Sequence, residues 1–172
     1  MFSLFRKKQK VSSRELASDL VDMFESVYQS CINMKPTSVR LTDENYKRQS
    51  LAFVYSIGNL AIQRSSFDVN TKHVLSVRFI EIMSESHKLF IDEFESTLFL
   101  HKSWTEFLPT LDMNGNGVFP CFFIQFIMKT GADIEDASEI ASMTGINMSA
   151  MGAIAATVTF LNAIAQKITV TR

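Results

Sequence analysis

SSRELASDLVDMFESVYQSCINM, residues Ser12 to Met34, decides how the rest of the chain is read. Ser12 with Glu15 three positions later has the spacing of a capping box, in which serine hydroxyl and glutamate carboxylate each accept from an amide that a helix start leaves unpaired. Leu16, Leu20, Phe24, Val27, Cys31 and Met34 then recur at steps of three and four, which is the period of one helix face and not the alternation of a strand. Pro36 ends this first helix.

The same period continues outward from this stretch. Thr42-Asp43-Glu44 supplies an N-cap and first-turn acids for a second helix, with Leu51, Val54, Ile57 and Ala61 on its core face and its end near Arg64. Gly58 in the middle of that helix predicts a close approach by a neighbour. Asp68 or Asn70 starts a third helix reaching about His101, with Leu75, Phe79, Met83, Phe90, Phe94 and Leu98 inward and charged residues outward. Ser103 and Glu106 repeat the capping-box spacing before Pro109 limits that helix to a short turn. Pro120 then opens a phenylalanine-rich helix, in which Phe119, Phe122, Phe123, Phe126 and Ile127 follow helical spacing. With Cys121, Ile124 and Met128 also apolar, that helix has almost no polar face and is expected at the centre of the core. Asp133 to Thr144 and Asn147 to Lys167 read as two more helices with Gly145 as the hinge between them, and whether the helix breaks there is left open by the sequence. The fold class is therefore all-α: one compact bundle of six or seven helices over residues 12–168, with a basic flexible tail at 1–11 and a short tail at 169–172.

Composition narrows the classes of function. A 172-residue chain that is 47% hydrophobic buries a sizeable core without disulfide or metal staples. A formal charge of −1 gives no whole-chain attraction to nucleic acid or to an anionic membrane. Only Arg6, Lys7, Lys8, Lys10 and Arg14 cluster, behind Phe2 and Phe5, and such a segment docks weakly on anionic lipid. The opening lacks the apolar core of a secretory signal and the two cysteines lie far apart in apolar patterns, so a reducing, cytoplasmic setting is expected. Ile140 to Gln166 is a run of 27 residues without a charge, long enough to ask about a membrane span, but Ser142, Thr144, Asn147, Ser149, Thr157, Thr159 and Asn162 punctuate it.

LDMNGNGVF, Leu111 to Phe119, is the nearest approach to a chemical signature. Asp112, Asn114, Asn116 and Gly117 stand where a calcium loop needs its first, third and fifth ligands and its turn glycine, and this half-loop resembles the EF-hand family. The resemblance implies a calcium site on Asp112, Asn114 and Asn116. Phe123 stands where the bidentate glutamate belongs, however, and a phenyl ring cannot coordinate a hard cation. Read from the residues themselves, two successive Asn-Gly pairs reverse the chain between helices, and neither metal nor cofactor is expected.

EIASMTGINMSAMGAIA, Glu139 to Ala155, resembles a DNA-binding helix-turn-helix, with Ala141, then Gly145 at the turn, and Met151 and Ile154 on the second helix. The resemblance implies a recognition helix from Asn147, yet Asn147 to Gln166 holds no Lys or Arg for phosphates. The same stretch carries small residues at four-residue steps: Ala141, Gly145, Ser149, Ala153 and Thr157, with Gly152 and Ala156 beside them. Such a stripe lets two helix backbones approach, within the protein or between subunits. Gly145, Ser149, Gly152, Ala153 and Ala156 are thus the candidate interaction residues.

His87 falls between Met83 and Phe90 on an apolar face, where a hydrogen-bonded core histidine is the ordinary outcome. His73 and His101 would lie about 42 Å apart on a straight helix, too far to share a metal within one chain. No phosphate-binding glycine loop, nucleophile elbow or cysteine cluster is present. These absences favour a non-enzymatic helical protein acting through a protein partner, a second copy of itself included. The alternatives are a binder of a small apolar molecule or lipid within the helices, or a peripheral membrane protein, with a DNA-binding regulator behind both.

Overall fold

A computed structural model describes residues 8–35, 42–88 and 137–171. In chain order these residues form β1 (Gln9–Ser12), α1 (Ser13–Asn33), α2 (Asp43–Arg64), α3 (Val69–His87), α4 (Ala137–Ala165) and β2 (Ile168–Thr171). Helix dominates, as the period of the apolar residues requires. The expected count of six or seven helices is not supported, since the described residues hold four. The short helix near Ser103 and the phenylalanine-rich helix lie outside the described residues.

The starts of α1 and α3 follow from their capping chemistry. The Ser12 hydroxyl accepts from the Arg14 amide at 3.2 Å and opens α1. Asp68 opens α3, one carboxylate oxygen accepting from the Thr71 amide at 3.0 Å and the other from its hydroxyl at 2.7 Å. These bonds from Thr71, backbone first, hold the Asp68 carboxyl below its ordinary range. α3 stops at His87, short of the expected His101. Lys88 turns the chain into the left-handed region (φ 54°, ψ 35°), and its amide donates back to the carbonyls of Glu85 and Ser84. At the end of α1, Met34 is the cap and is 43% exposed, because helical geometry ceases at Asn33 before Met34 can join the face predicted for it.

α1 and α2 form the central pair, each packing on the other and on both α3 and α4. Leu16, Leu20, Phe24, Val27 and Cys31 are buried as the period predicts, and so are Leu51, Val54, Ile57 and Ala61. α2 goes further: every residue from Ser50 to Gly58 is buried. Ser56 fits this setting because a helical hydroxyl can bond the preceding turn, and it donates to the Ala52 carbonyl at 2.7 Å. Gly58 shows why a glycine stands there. A Cβ at that position would come within 2.4 Å of the Phe79 ring of α3. Phe79 itself is held between Phe24, edge to face, and Tyr55, stacked, with both ring centroids 5.9 Å away.

Tyr46 ties the start of α2 to the end of α1. Its ring is 1% exposed and its hydroxyl donates to the Cys31 carbonyl at 2.9 Å, one of the last-turn carbonyls that α1 cannot satisfy itself. Burial pushes the Tyr46 phenol and the Cys31 thiol well above their ordinary ranges, so both remain protonated. A buried neutral thiol is a packing group and not a nucleophile.

Two corrections concern the ends and the last helix. Residues 9–11 and 169–171, read from sequence within the tails, belong to strands: β1 and β2 pair in parallel, Gln9 opposite Ile168 through Ser12 opposite Thr171. Ile168 is buried, and Val11 and Val170 pack partly buried against the core. Nor does the chain break at Gly145. α4 is one continuous helix through that residue, because Ile146, Ala150, Ile154 and Leu161 all bury on a single face. Their packing outweighs the roughly 1 kcal/mol that a mid-helix glycine costs. The turn of the helix-turn-helix resemblance is therefore absent.

Candidate functional site

α4 carries the residues singled out for interaction. Gly145, Gly152 and Ala156 are exposed, whereas Ser149 and Ala153 are half-buried and Thr157 is fully buried. Helical geometry explains the spread. A four-residue step turns about 40° beyond a full revolution, so a stripe at that spacing winds from solvent at Gly145 into the core at Thr157. The small-residue stripe is thus not one surface. Thr157 ends against α1, its hydroxyl 3.9 Å from the Met23 sulfur.

The surface line has a different spacing. Gly145, Met148, Gly152, Ala155 and Thr159 are all exposed and alternate steps of three and four, the average of 3.5 residues that keeps a seam on one side of a helix. No charge lies on it, and Met148 is 61% exposed. A Cβ added at Gly145 or at Gly152 would meet nothing within 4 Å among the described residues. Among the described residues, α4 is also the one helix long and apolar enough to cross a membrane by length and composition, and 22% of its window Met148–Ala165 is buried. It is fastened to the other helices, since the Asn162 side-chain oxygen accepts from the Ser66 amide at 2.6 Å.

The basic cluster is partly committed inside the fold. The Lys8 ammonium donates to the Ala165 carbonyl at 3.2 Å, placing a cation at the negative end of α4. Arg14 pairs with Glu85 at 2.7 Å, where both side chains are more than half exposed and the bond contributes little. Phe2, Phe5, Arg6 and Lys7 lie outside the described residues, as do Asp112, Asn114, Asn116, Cys121 and His101. Among the described residues no group of three His, Cys, Asp or Glu side chains is placed to hold a metal ion.

His87 is half-buried, but not as the hydrogen-bonded core histidine expected. Its ring meets Tyr28 edge-on at 4.4 Å. Its Nε2 is buried and lies 3.2 Å from a Glu25 carboxylate oxygen, at ion-pair distance but without the alignment of a hydrogen bond among the described residues. It borders a cleft formed where α1 ends, α2 begins and α3 stops. No motif announces this cleft, because Tyr28 comes from α1, Lys47 from α2 and Lys88 from the cap of α3, and their spacing follows none of the familiar binding patterns. Comparison of the chain with known protein-family models, curated proteins and solved structures gives no match.

Proposed function

We propose that this chain is a non-enzymatic helical interaction protein that pairs with a second copy of itself through the outer face of α4. The observation that carries the reading is the exposed, uncharged seam Gly145, Met148, Gly152, Ala155 and Thr159. Two glycines inside a helix each cost roughly 1 kcal/mol against alanine, and nothing among the described residues fills the space above them. Close approach of another helix backbone makes use of that space. An uncharged seam also meets its own copy without like-charge repulsion, which suits a two-fold contact.

Sedimentation velocity at micromolar concentration tests this. The wild-type chain is expected at twice its monomer mass, and Gly152→Glu is expected to be monomeric and cooperatively folded, its melting temperature no longer rising with protein concentration as that of a pairing chain does. A strictly monomeric wild type would overturn the reading. A second reading, in which α4 lies against lipid, is favoured by the length and apolar composition of Met148–Ala165. It predicts co-flotation with neutral phosphatidylcholine vesicles that Gly152→Glu abolishes.

A further inference from the structure

The seam on α4 leaves the cleft at the other helices unexplained. Two adjoining hollows of about 390 and 230 Å³ share Tyr28, Lys47, His87 and Lys88, and the larger falls in the size range of small-molecule sites. We infer that this cleft binds a small anion with an apolar body, such as a phosphate monoester or carboxylate carried on a ring.

The charge balance points to an anion. Among the described residues one acid, Glu44, lines the cleft and is matched by Arg48 at 2.6 Å, while Glu25 stands behind His87, 3.2 Å from its Nε2. The ammonium groups of Lys47 and Lys88 have no ion-pair partner among the described residues, and both side chains are exposed at the rim. A phosphate or carboxylate between them gains charge-assisted hydrogen bonds that water alone does not match. The apolar wall selects the rest of the ligand. Ile32 is half-buried in the larger hollow, and the Tyr28 ring is 8% exposed beside it. Burial foremost, then the nearby Glu25 and Cys31, hold the Tyr28 phenol above its ordinary range, so it stays a neutral O–H and adds no negative charge to the site.

Backbone conformation supplies an independent sign. Lys88 is the one non-glycine residue with positive φ among the described residues. Glycine is the usual occupant of such a helix-ending position because it alone enters the left-handed region without steric cost. A lysine kept there at the mouth of a cleft puts a cation where helix termination alone would favour glycine. The described residues that line the cleft come from α1, α2, α3 and the cap of α3, so its test is separate from that of self-pairing.

Phenyl phosphate titrated into the full isotope-labelled chain, followed by amide nuclear magnetic resonance, is the test. Saturable shifts are expected at Tyr28, Gln29, Lys47, His87 and Lys88, with inorganic phosphate and benzyl alcohol each binding about tenfold more weakly. Lys88→Gly is expected to keep or raise the melting temperature while weakening phenyl phosphate several-fold, and Lys47→Glu with Lys88→Glu to weaken it by more than about tenfold. Shifts that do not saturate, or that spread over Lys10 and Arg64 as strongly as over the cleft, would overturn the assignment. So would a doubly substituted chain that stays folded and binds as the wild type does.

Discussion

α2 and α4 both carry glycine in mid-helix, and the two helices use it in opposite ways. Gly58 of α2 is buried and is met by the Phe79 ring within 2.4 Å of where a Cβ would stand. Gly145 and Gly152 of α4 are exposed, and a Cβ there would meet nothing within 4 Å among the described residues. The residue type and its helical setting are the same, yet the first glycine is required by a neighbour already in place and the others leave a surface unfilled. A mid-helix glycine therefore signals close approach, but whether the approaching group is internal is decided only by the packing of other elements.

The comparison can be broken most forcefully from the side of the ring. Phe79→Ala removes a fully buried side chain packed between Phe24 and Tyr55; a loss of about 3–5 kcal/mol in denaturant-unfolding stability is expected. Gly58→Ala comes next. Its helix propensity would favour alanine by about 1 kcal/mol, but the clash with a ring that cannot move aside should leave a net loss of about 1–3 kcal/mol. In a double-mutant cycle, most of the Gly58→Ala penalty should vanish in the Phe79→Ala background; strictly additive losses would show that the ring is not its cause.

From the α4 side, Gly152→Ala should stabilise the isolated chain by up to about 1 kcal/mol, because propensity improves and nothing is displaced. Any loss seen in dilute chemical unfolding would mean that this glycine too has a neighbour in the monomer. The smallest effect is expected at the start of α3, the helix that delivers Phe79. Because hydrogen bonds from Thr71 depress the Asp68 carboxyl in the folded state, its contribution is complete above the unfolded value. It is lost as pH falls through the lower folded value. The melting-temperature difference between wild type and Asp68→Asn should thus be flat near neutrality and shrink below about pH 4.

Much of α1, α2 and α3 was legible in the sequence. Local signals suffice there: Ser12 and Asp68 as caps, the three-and-four spacing of Leu16 to Cys31, and Gly58 as a point of approach all depend on neighbours within a few residues. All-round burial of α2 was not legible, because Ser50 and Ser56 read as polar although the Ser56 hydroxyl is satisfied within its own helix. Gly145 misled for an energetic reason, its weak propensity having been set against packing that sequence does not display. The strands escaped because their partners stand at opposite ends of the chain, and no local pattern of Gln9–Ser12 specifies Ile168–Thr171. The cleft was the least legible, since Lys47 stands in α2 and Lys88 caps α3, and the two meet only through the fold.

The parallel pairing of β1 with β2 has a mechanical consequence. Gln9 lies beside Ile168 and Ser12 beside Thr171, so tension applied before Gln9 and after Thr171 draws the strands past one another along their length. The rungs of the ladder then carry the load together, in shear, whereas an antiparallel pair pulled from its open end would peel one rung at a time. With Thr171 Oγ1 also donating to the Val11 carbonyl at 3.3 Å, this short ribbon is a clasp that resists stretching until it slips as a unit.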